Sequence, residues 1–449
     1  MNFEDTLQYL LSLGHETTAI KLGLRNTELL LESLDNPHKA YQSVQIAGTN
    51  GKGSTAVVLD SISRAAGIHT GLFTSPHLVS ITERIMIGGA EISPDDFARH
   101  ATAVRSAAED LVTRGKLEAL PTFFEQVAAI AFLAFREASV RLAILETGLG
   151  GRLDATTVAG AETVAITPLA LDHQDYLGET IEEIASEKAA IIRPGVTAII
   201  AAQPVRALDV ILQRCAEFKV HPSLEIDQSH NRIEKVTDNG RFVVSFETDE
   251  GHYENVLLGL RGRHQIVNTS VAIRVAESLR KRGFDVSKSA IIEGIQTARH
   301  AGRLELQDGH PSLLLDGAHN PGGAQALREF LDEFVSQPVT LVFGAMNDKR
   351  LEEIATLLFP AADRLILTQP DNLRAAGVGR LQSLAATIVD DERIAAVPSV
   401  GHAFQLAKDV TPPDGLICIT GSLYLLGEIK AIMNTALMEN VVLSDESLV

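Results

Sequence analysis

The chain has 449 residues, of which 45% are hydrophobic and 22% are charged, a balance typical of a globular protein with two or three domains. Its formal net charge of −19 argues against a nucleic-acid or membrane-surface partner, because such partners bind basic surfaces. Any anionic ligand must therefore be held by local groups. Cys215 and Cys418 lie apart in apolar surroundings, so we expect two small buried side chains and no disulfide framework.

The N-terminus and the apolar runs argue against targeting or membrane segments. Residues 1–5 are acidic where a signal peptide would be basic. The longest apolar run in the first half, residues 127–135, has nine residues and is too short to span a bilayer. We therefore expect a cytoplasmic protein.

A glycine-rich turn organises the first part of the chain. Residues 1–40 carry leucines at helical spacing, interrupted at residues 21–24, and a β-rich stretch over residues 41–47 then leads into Gly48-Thr49-Asn50-Gly51-Lys52-Gly53-Ser54. A helical run over residues 55–66 follows. Such a turn directs free backbone N–H groups at one point, and Lys52 adds a positive charge, so the pattern predicts a phosphate site. The spacing departs from the common phosphate loop, and glycine-rich turns are often only turns.

Two further strands end in polar residues. The strand predicted over residues 70–73 is followed by Thr74 and Ser75, and Pro76 keeps Ser75 out of a helix. The apolar run over residues 142–145 is typical of a buried parallel strand, and Glu146 follows it directly, before a glycine-rich segment. A carboxylate in this position favours a functional role, because buried carboxylates are paired or bind metal.

The segments between and after these strands predict helices. One covers residues 96–111, and a second starts after Thr122 and Glu125, which fit a capping box. The strand over residues 163–167 leads to Asp172-His173, and a helix over residues 181–192 carries Lys188. Taken alone, His173 fits a hydrogen-bonded loop histidine equally well, and Lys188 fits a surface charge.

The second half changes character before a new βα series begins. Asn239-Gly240 predicts a hairpin turn, and a helix then runs from the segment that contains Asn268 to Leu279. Further strands are expected over residues 313–315, 339–343, 364–367 and 416–420, with helices between them. A boundary loop and the end of the first of these strands contribute four polar residues: His300, Arg303, Asp316 and His319.

The predicted fold is therefore α/β with two domains. Residues 1–298 form an ATP-binding domain with a P-loop-type, mostly parallel sheet and a small antiparallel β section. Residues 299–449 form a smaller Rossmann-like domain. In the first domain Lys52, Ser54, Ser75, Glu146 and His173 are suited to nucleotide phosphates with Mg²⁺, although histidine is a less usual magnesium ligand. Groups arriving from both domains suggest closure around ATP and a second substrate.

An ordered set of motifs resembles one family. The motifs are Ala47 to Ser54, Thr74 to Leu78, Phe123-Phe124-Glu125, Glu146 to Thr156, Asp172-His173, Glu187-Lys188-Ala189 and Leu315 to Asn320. Together they are similar to those of the folylpolyglutamate synthase family, which includes bifunctional dihydrofolate synthase/folylpolyglutamate synthases and belongs with the Mur ligases. One departure is Ala190, where the family more often has glycine.

The resemblance implies roles for individual residues. Thr49, Asn50, Gly51, Lys52, Gly53 and Ser54 would hold the ATP phosphates; Asn268, Arg303 and Asp316 would contact the nucleotide. Ser75 and Glu146 would bind one Mg²⁺, and His173 would help bind a second. Lys188 would be carbamylated and support the metal site, and His319 would lie near the incoming glutamate. The segments matched to pterin contacts are Lys21, Leu22, Gly23, Leu24, Thr122, Phe123, Phe124, Glu125, Leu153, Asp154 and Ala155.

The implied reaction is ATP-dependent amide formation between a substrate carboxylate and L-glutamate, through an acyl phosphate. The expected partners are small molecules, namely dihydropteroate, tetrahydrofolates and L-glutamate, and the protein is expected to be a monomer. Three alternatives stay open: a folylpolyglutamate synthase without dihydrofolate synthase activity, another Mur-type amide ligase, and a P-loop ATPase switch.

Overall fold

The computed structural model describes residues 1–14, 23–224 and 231–446. Over these residues the strands form three sheets, of eight, three and six strands. The first two sheets precede residue 298 and the third follows it. The boundary predicted between residues 298 and 299 falls between the last helix before it, which ends at Thr297, and the first strand after it, which begins at Glu305.

The largest sheet is the frame of the first part. Its order is β4-β3-β2-β5-β1-β6-β7-β8, with a parallel body from β2 to β8 and an antiparallel edge formed by β3 and β4. The central strand β1 pairs in parallel with β5 on one side and β6 on the other. Its strands are β1 (Gln42–Ala47), β2 (Thr70–Phe73), β3 (Ile85–Ile87), β4 (Ala90–Glu91), β5 (Leu142–Glu146), β6 (Thr163–Ile166), β7 (Thr197–Ile200) and β8 (Ser223–Leu224).

Helices cover both faces of this sheet, because its strands are apolar on both sides. Leu142 and Ile144 of β5 belong to one hydrophobic core, and Ala143 and Leu145 belong to another. The helices before the three-stranded sheet are α1 (Phe3–Ser12), α2 (Arg25–Ser33), α3 (Lys52–Ala65), α4 (Pro94–Thr113), α5 (Phe123–Glu137), α6 (Gln174–Leu177), α7 (Ile181–Ala189) and α8 (Val205–Glu217).

The antiparallel section is a meander of β9 (Asn231–Val236), β10 (Phe242–Thr248) and β11 (Gly251–Leu257). It packs on α9 (His264–Arg280) and α10 (Lys288–Thr297) as part of the core that lies on one face of the large sheet. Buried Glu277 of α9 accepts hydrogen bonds from Thr248 (2.6 Å) and Tyr253 (2.7 Å), which ties the meander to the helix. The antiparallel pairing of β9 with β10 on either side of residues 237–241 confirms the hairpin predicted at Asn239-Gly240.

The second part is built on the six-stranded sheet, in the order β12-β13-β17-β14-β15-β16. Its strands are β12 (Glu305–Gln307), β13 (Ser312–Leu315), β14 (Val339–Phe343), β15 (Arg364–Leu367), β16 (Ile394–Ala396) and β17 (Leu416–Thr420). Its helices are α11 (Pro321–Phe334), α12 (Leu351–Leu358), α13 (Val378–Ala385), α14 (Val400–Val410) and α15 (Leu423–Glu446).

The fold class predicted from the sequence is confirmed, with two local differences. Helix α3 begins at Lys52 rather than residue 55, because Gly51 takes a left-handed conformation (φ 84°) and caps the helix there. The six-stranded sheet is not wholly parallel, since β12 runs antiparallel to β13 at its edge. Lys21 and Leu22, predicted to contact substrate, lie outside the described residues.

Candidate active site

A cavity of about 400 Å³ lies where the two parts of the chain meet. It collects residues that follow β1, β2, β5 and β6 of the large sheet and β13, β14 and β17 of the smaller one. Of the residues predicted from the sequence, those that line it are Thr49, Asn50, Gly51, Lys52, Gly53, Ser54, Ser75, Thr122, Phe124, Glu125, Glu146, Leu153, Asp154, Ala155, His173, Lys188, Asn268, His300, Arg303, Asp316 and His319.

The glycines of the turn after β1 make room that no other residue would leave. A Cβ on Gly48 (φ 155°) would lie 1.8 Å from Thr167 Oγ1, and one on Gly51 would lie 2.1 Å from Asn268 Oδ1. Lys52 folds back over the turn and donates to the carbonyls of Gly48 (3.2 Å) and Thr49 (3.4 Å). The backbone N–H groups at the start of α3 therefore face an open, positively charged cradle, which is the geometry of an anion site.

Glu146 ends β5 inside this cavity and is 5% exposed. Its Oε2 accepts a hydrogen bond from the Ser75 N–H at 3.2 Å. Burial raises the pKa of Glu146, and the charges of Lys52, Arg303 and Arg84 oppose that rise. A buried carboxylate needs a compensating positive charge, which these side chains supply here and which a bound metal ion could also supply.

Lys188 reaches the same turn from α7. Its Nζ donates to the Gly48 carbonyl at 2.7 Å, and the side chain is buried. Burial, followed by repulsion from Lys52, lowers the pKa of Lys188 to about 7. A large fraction of the amine is therefore neutral near neutral pH, so it is available as a nucleophile.

One wall of the cradle comes from α9 and the segment after α10. Ser54 Oγ lies 3.2 Å from His300 Nδ1 and accepts a hydrogen bond from Gln265 Nε2 at 3.3 Å. Asn268 Nδ2 donates to Gln265 Oε1 at 2.9 Å. Burial, with the nearby charge of Arg303, lowers the pKa of His300 to about 3, so its imidazole is neutral. This network holds the hydroxyl and the amide at fixed positions beside the turn.

The second part contributes groups from the loop after β13. The Asp316 carboxylate accepts from the N–H groups of Leu304 (2.8 Å) and Ala318 (3.0 Å), while Arg303 Nη1 donates to the Gly317 carbonyl at 3.3 Å. His319 Nδ1 lies 2.8 Å from the same carbonyl. Since a carbonyl only accepts, Nδ1 carries the proton and Nε2 keeps its lone pair.

Direct bonds join the two parts at the cavity. Lys349 Nζ lies 3.0 Å from Asp172 Oδ1, with both side chains about one-tenth exposed. Asn320 Nδ2 donates to Asn50 Oδ1 (3.0 Å) and to Asp172 Oδ2 (3.1 Å). Burial would raise the pKa of Asp172, but Lys349, His173 and His319 hold it below its ordinary value. The phosphate turn is thus bonded to the second part.

His173 follows Asp172 in a left-handed conformation (φ 52°). Burial and the charge of Lys349 lower the pKa of His173 to about 4. The same two effects lower the pKa of His319 to about 4. Both imidazoles are therefore neutral at neutral pH, the form that can accept a proton or bind a metal.

Divalent metal would have to be held with help from a ligand. Among the described residues, no group of three or more His, Cys, Asp or Glu side chains is placed to hold a metal ion. The donors present are the Glu146 carboxylate, the Ser75 hydroxyl and the neutral His173. A small set of oxygen donors fits Mg²⁺, which usually keeps waters and takes phosphate oxygens from a bound nucleotide.

Some of the residues that were predicted to contact substrate line the cavity, and others do not. Phe124 lines the cavity over Gly148, whose Cβ would lie 2.6 Å from its ring. Phe123 is not among the lining residues, because it is buried in the core beneath and Arg84 lies over its ring. Gly23 and Leu24 also lie outside the lining, at the start of α2.

Two carboxylates in these segments are occupied by hydrogen bonds from neighbouring protein groups. Glu125 accepts from the Thr122 N–H (2.7 Å) and from Thr27 Oγ1 (3.0 Å). Asp154 accepts from the N–H groups of Gly148 (2.9 Å) and Leu149 (3.0 Å). Both carboxylates thereby fix the loops that form the cavity wall.

Several lining residues were not predicted from the sequence, among them Tyr176, Gln265, Met346, Lys349 and Arg374. Lys349 had only a weak signal, because it lies six residues beyond the end of the apolar strand β14 at Phe343. Tyr176 and Gln265 lie on helices and had no comparable signal.

Comparison with known proteins matches both parts of the chain. The Mur ligase middle domain matches residues 46–276, and the Mur ligase glutamate ligase domain matches residues 302–423. The fold and the site thus define a ligase of the Mur type. The folylpolyglutamate synthase of Mycobacterium tuberculosis complexed with ADP superimposes with a TM-score of 0.88 at 29% identity, covering 96% of this chain and 99% of that one.

Relatives found by sequence show to which family of Mur-type ligases the chain belongs. The dihydrofolate synthase/folylpolyglutamate synthase of Bacillus subtilis is 34% identical over 93% of this chain and 96% of its own length. The chain belongs to the dihydrofolate synthase/folylpolyglutamate synthase family, and it is an enzyme of the ligase class. A probable bifunctional folylpolyglutamate synthase/dihydropteroate synthase of Halobacterium salinarum is 34% identical over 96% of this chain, which spans about half (51%) of that relative.

A further solved structure shows ligands in such a site. A bifunctional folylpolyglutamate synthase/dihydrofolate synthase with Mn, AMPPNP and L-glutamate bound has a TM-score of 0.82 and 28% identity, covering 97% of this chain and 98% of that one.

In the part of this chain that the structure describes, no helix is long and apolar enough to cross a membrane.

Proposed function

We propose that this protein is a bifunctional dihydrofolate synthase/folylpolyglutamate synthase, which uses ATP to add L-glutamate to dihydropteroate and to tetrahydrofolates. The observation that carries the proposal is the shared cavity, where a phosphate cradle from one part meets Arg303, His319 and Lys349 from the other. Nucleotide hydrolysis alone would need only the first set. The names and bound ligands of the relatives support the same activity.

The chemistry would proceed in two displacements. The substrate carboxylate attacks the γ-phosphorus of ATP, giving an acyl phosphate and ADP. The α-amine of glutamate then attacks the acyl carbon, phosphate leaves, and the amine loses a proton. Lys52 and Arg303 would offset the charge on the transferring phosphoryl group. The bonds between the two parts would keep water away from the acyl phosphate, which water would otherwise hydrolyse.

Ser75, Glu146 and His173 are the residues that would hold Mg²⁺, in two sites, with His173 serving the second. A magnesium ion there would screen the phosphate charges and orient the γ-phosphoryl group. The donor set is sparse, so phosphate oxygens and waters would complete the coordination. His319, with its proton on Nδ1, offers Nε2 as the acceptor for the proton that the glutamate amine loses.

Lys188 would be carbamylated. Its burial and low pKa support this proposal, because only a neutral amine adds CO₂. The product is an anion, which would relieve the repulsion between Lys188 and Lys52 and would support the metal site. We also propose that residues 1–298 and 299–449 are the two domains, and that the enzyme acts as a cytoplasmic monomer on small molecules.

The direct test is incorporation of labelled L-glutamate, with dihydropteroate and tetrahydrofolate supplied separately in the presence of ATP and Mg²⁺. Product from both acids is expected. Product from tetrahydrofolate alone would restrict the enzyme to chain extension. Folded protein that binds Mg-ATP but acts on neither acid would contradict the proposal and point to another acid substrate. ATP hydrolysis that needs neither acid nor amine would instead indicate a switch.

A further inference from the structure

The two parts of the chain also touch away from the cavity, at the C-terminal end of α11. Arg263 and Glu333 form a two-pronged ion pair there, with Nη2 2.6 Å from Oε1 and Nε 2.7 Å from Oε2. Arg263 precedes α9, and Glu333 lies in the last turn of α11. Two parallel bonds fix both the distance and the angle between the partners.

Aromatic packing surrounds this ion pair. Phe334 meets the ring of buried Phe242 edge-on, with centroids 5.8 Å apart, and it packs against the hydrophobic cores of both parts. The Arg263 guanidinium lies over the Phe242 ring, with its Cζ 5.2 Å from the ring centre. Gly240 of the hairpin turn approaches Phe330 so closely that a Cβ would lie 2.2 Å from the ring. The C-terminal end of α11 therefore packs against the hairpin of the three-stranded sheet.

The opposite end of α11 is in the candidate active site. The helix has 14 residues and begins after Asn320, whose side chain caps it. Asn320 also donates to Asn50 of the phosphate turn and to Asp172, and His319 precedes it. A helix of this length is about 20 Å long and stiff, so its remote end sets the direction in which its first residues point.

We propose that Arg263 and Glu333 are positioning residues for the glutamate-transfer step. Their ion pair fixes the remote end of α11, so that Asn320 and His319 meet the phosphate turn in the correct register. This inference rests on the proposed function, because it assigns the effect to the step that uses both parts of the chain. Neither side chain lines the cavity, so a kinetic effect of changing Glu333 would be transmitted through α11.

Glu333 is the better residue to change. Arg263 immediately precedes α9, which carries Gln265 and Asn268 at the phosphate turn, so changing it would affect nucleotide binding as well. A matched control lies on the same helix, where Arg328 pairs with Asp332 at 2.8 Å. Asp332 pairs within α11 and does not join the two parts, so Asp332→Asn removes an ion pair of similar kind without loosening the contact.

The test compares steady-state kinetics of the wild type, Glu333→Gln and Asp332→Asn. For Glu333→Gln we expect the KM for glutamate to rise about three- to tenfold, while the KM for ATP changes less than about twofold. ADP formation should also exceed amide formation, because a misplaced α11 leaves the acyl phosphate open to water. Asp332→Asn should match the wild type in all three measurements.

Charge reversal provides the second arm. Arg263→Glu and Glu333→Arg should each weaken glutamate use, and the double variant should regain most of it, since the pair is then restored with opposite sign. If Glu333→Gln only lowers the melting temperature, or raises both KM values equally, the positioning role is wrong.

Failure of the proposed function can be distinguished from failure of the positioning role. If the wild type itself forms no amide with either acid, that function is wrong, and the ion pair is then tested by small-angle X-ray scattering. A larger radius of gyration for Glu333→Gln than for Asp332→Asn would support its role in fixing α11. Equal radii would overturn it.

Discussion

The two sides of the cavity are built in different ways. At the edge of the eight-stranded sheet, the polar groups are concentrated in one glycine-rich turn and in residues directly at strand ends. At the edge of the six-stranded sheet, they are long side chains from separate loops, such as Arg303, His319 and Lys349. The first side is a compact cradle of backbone N–H groups, to which we assign phosphate binding. In the proposed reaction, the second side can act only when it is held against the first. This contrast predicts that changes on the first side abolish nucleotide chemistry, whereas changes on the second uncouple it.

The largest effect is expected from Lys52→Ala. Removing the one side-chain charge of the phosphate turn should lower turnover by about 10³-fold or more, because charge on the transferring phosphoryl group is no longer offset. The chain should stay folded, since the hydrogen bonds that the Lys52 amine makes to described residues go to carbonyls of its own turn. Glutamate incorporation and circular dichroism measure the two quantities. Near-normal incorporation would contradict the site assignment.

Lys349→Ala tests the side of the cavity that the six-stranded sheet provides. It leaves Asp172 buried without its cation, so we expect amide formation to fall about 10- to 100-fold while ATP affinity changes less than about threefold. Lys281→Ala is the matched control, because Lys281 pairs with Glu250 at 2.6 Å on an exposed surface. Nucleotide titration and product formation separate the two effects. Equal losses in both would show that Lys349 belongs to the nucleotide site.

Lys188 gives a prediction for pH and CO₂. With a pKa of about 7, the amine is mostly charged at pH 6 and mostly neutral at pH 8. At constant dissolved CO₂, activity should therefore rise by several-fold across this interval as the carbamate forms. Removing CO₂ should lower activity at pH 8 and its return should restore it. A ¹³C carbamate signal that is absent from Lys188→Gln would identify the group, and activity insensitive to CO₂ would exclude this role.

The smallest effect is expected from Thr122→Ala, a change in the wall of the cavity. Thr122 caps α5, and its Oγ1 accepts from the Glu125 N–H at 3.3 Å. Thr122→Ala should cost about 1 kcal/mol of stability, the usual value of a helix cap. Thr122 lines the cavity, but its hydroxyl is engaged in the helix cap, so the KM for the acid substrate should change less than about threefold. Urea unfolding and initial rates measure these quantities, and a large rise in KM with unchanged stability would instead place Thr122 in direct contact with substrate.

Local sequence patterns were sufficient for the elements and for much of the site. The strands over residues 70–73, 339–343, 364–367 and 416–420 lie where the apolar runs predicted them. The Ser75 N–H and the Glu146 carboxylate meet at 3.2 Å because they lie at the carboxyl ends of two neighbouring parallel strands, which share one edge of the sheet. Short strands such as β3, β4 and β16 escaped prediction, since three residues or fewer carry too little periodicity.

By itself, the sequence determined the α/β class, the glycine-rich turn and the order of the polar strand ends, because these depend on backbone geometry and on alternation over a few residues. Only the tertiary structure decided that Phe123 faces the core while Phe124 faces the cavity, and that Lys349 reaches Asp172. The same holds for the contact of Arg263 with Glu333, 70 residues apart in the chain. Such pairings depend on how two separately built sheets dock, and docking is governed by the packing of whole surfaces, which no local pattern records.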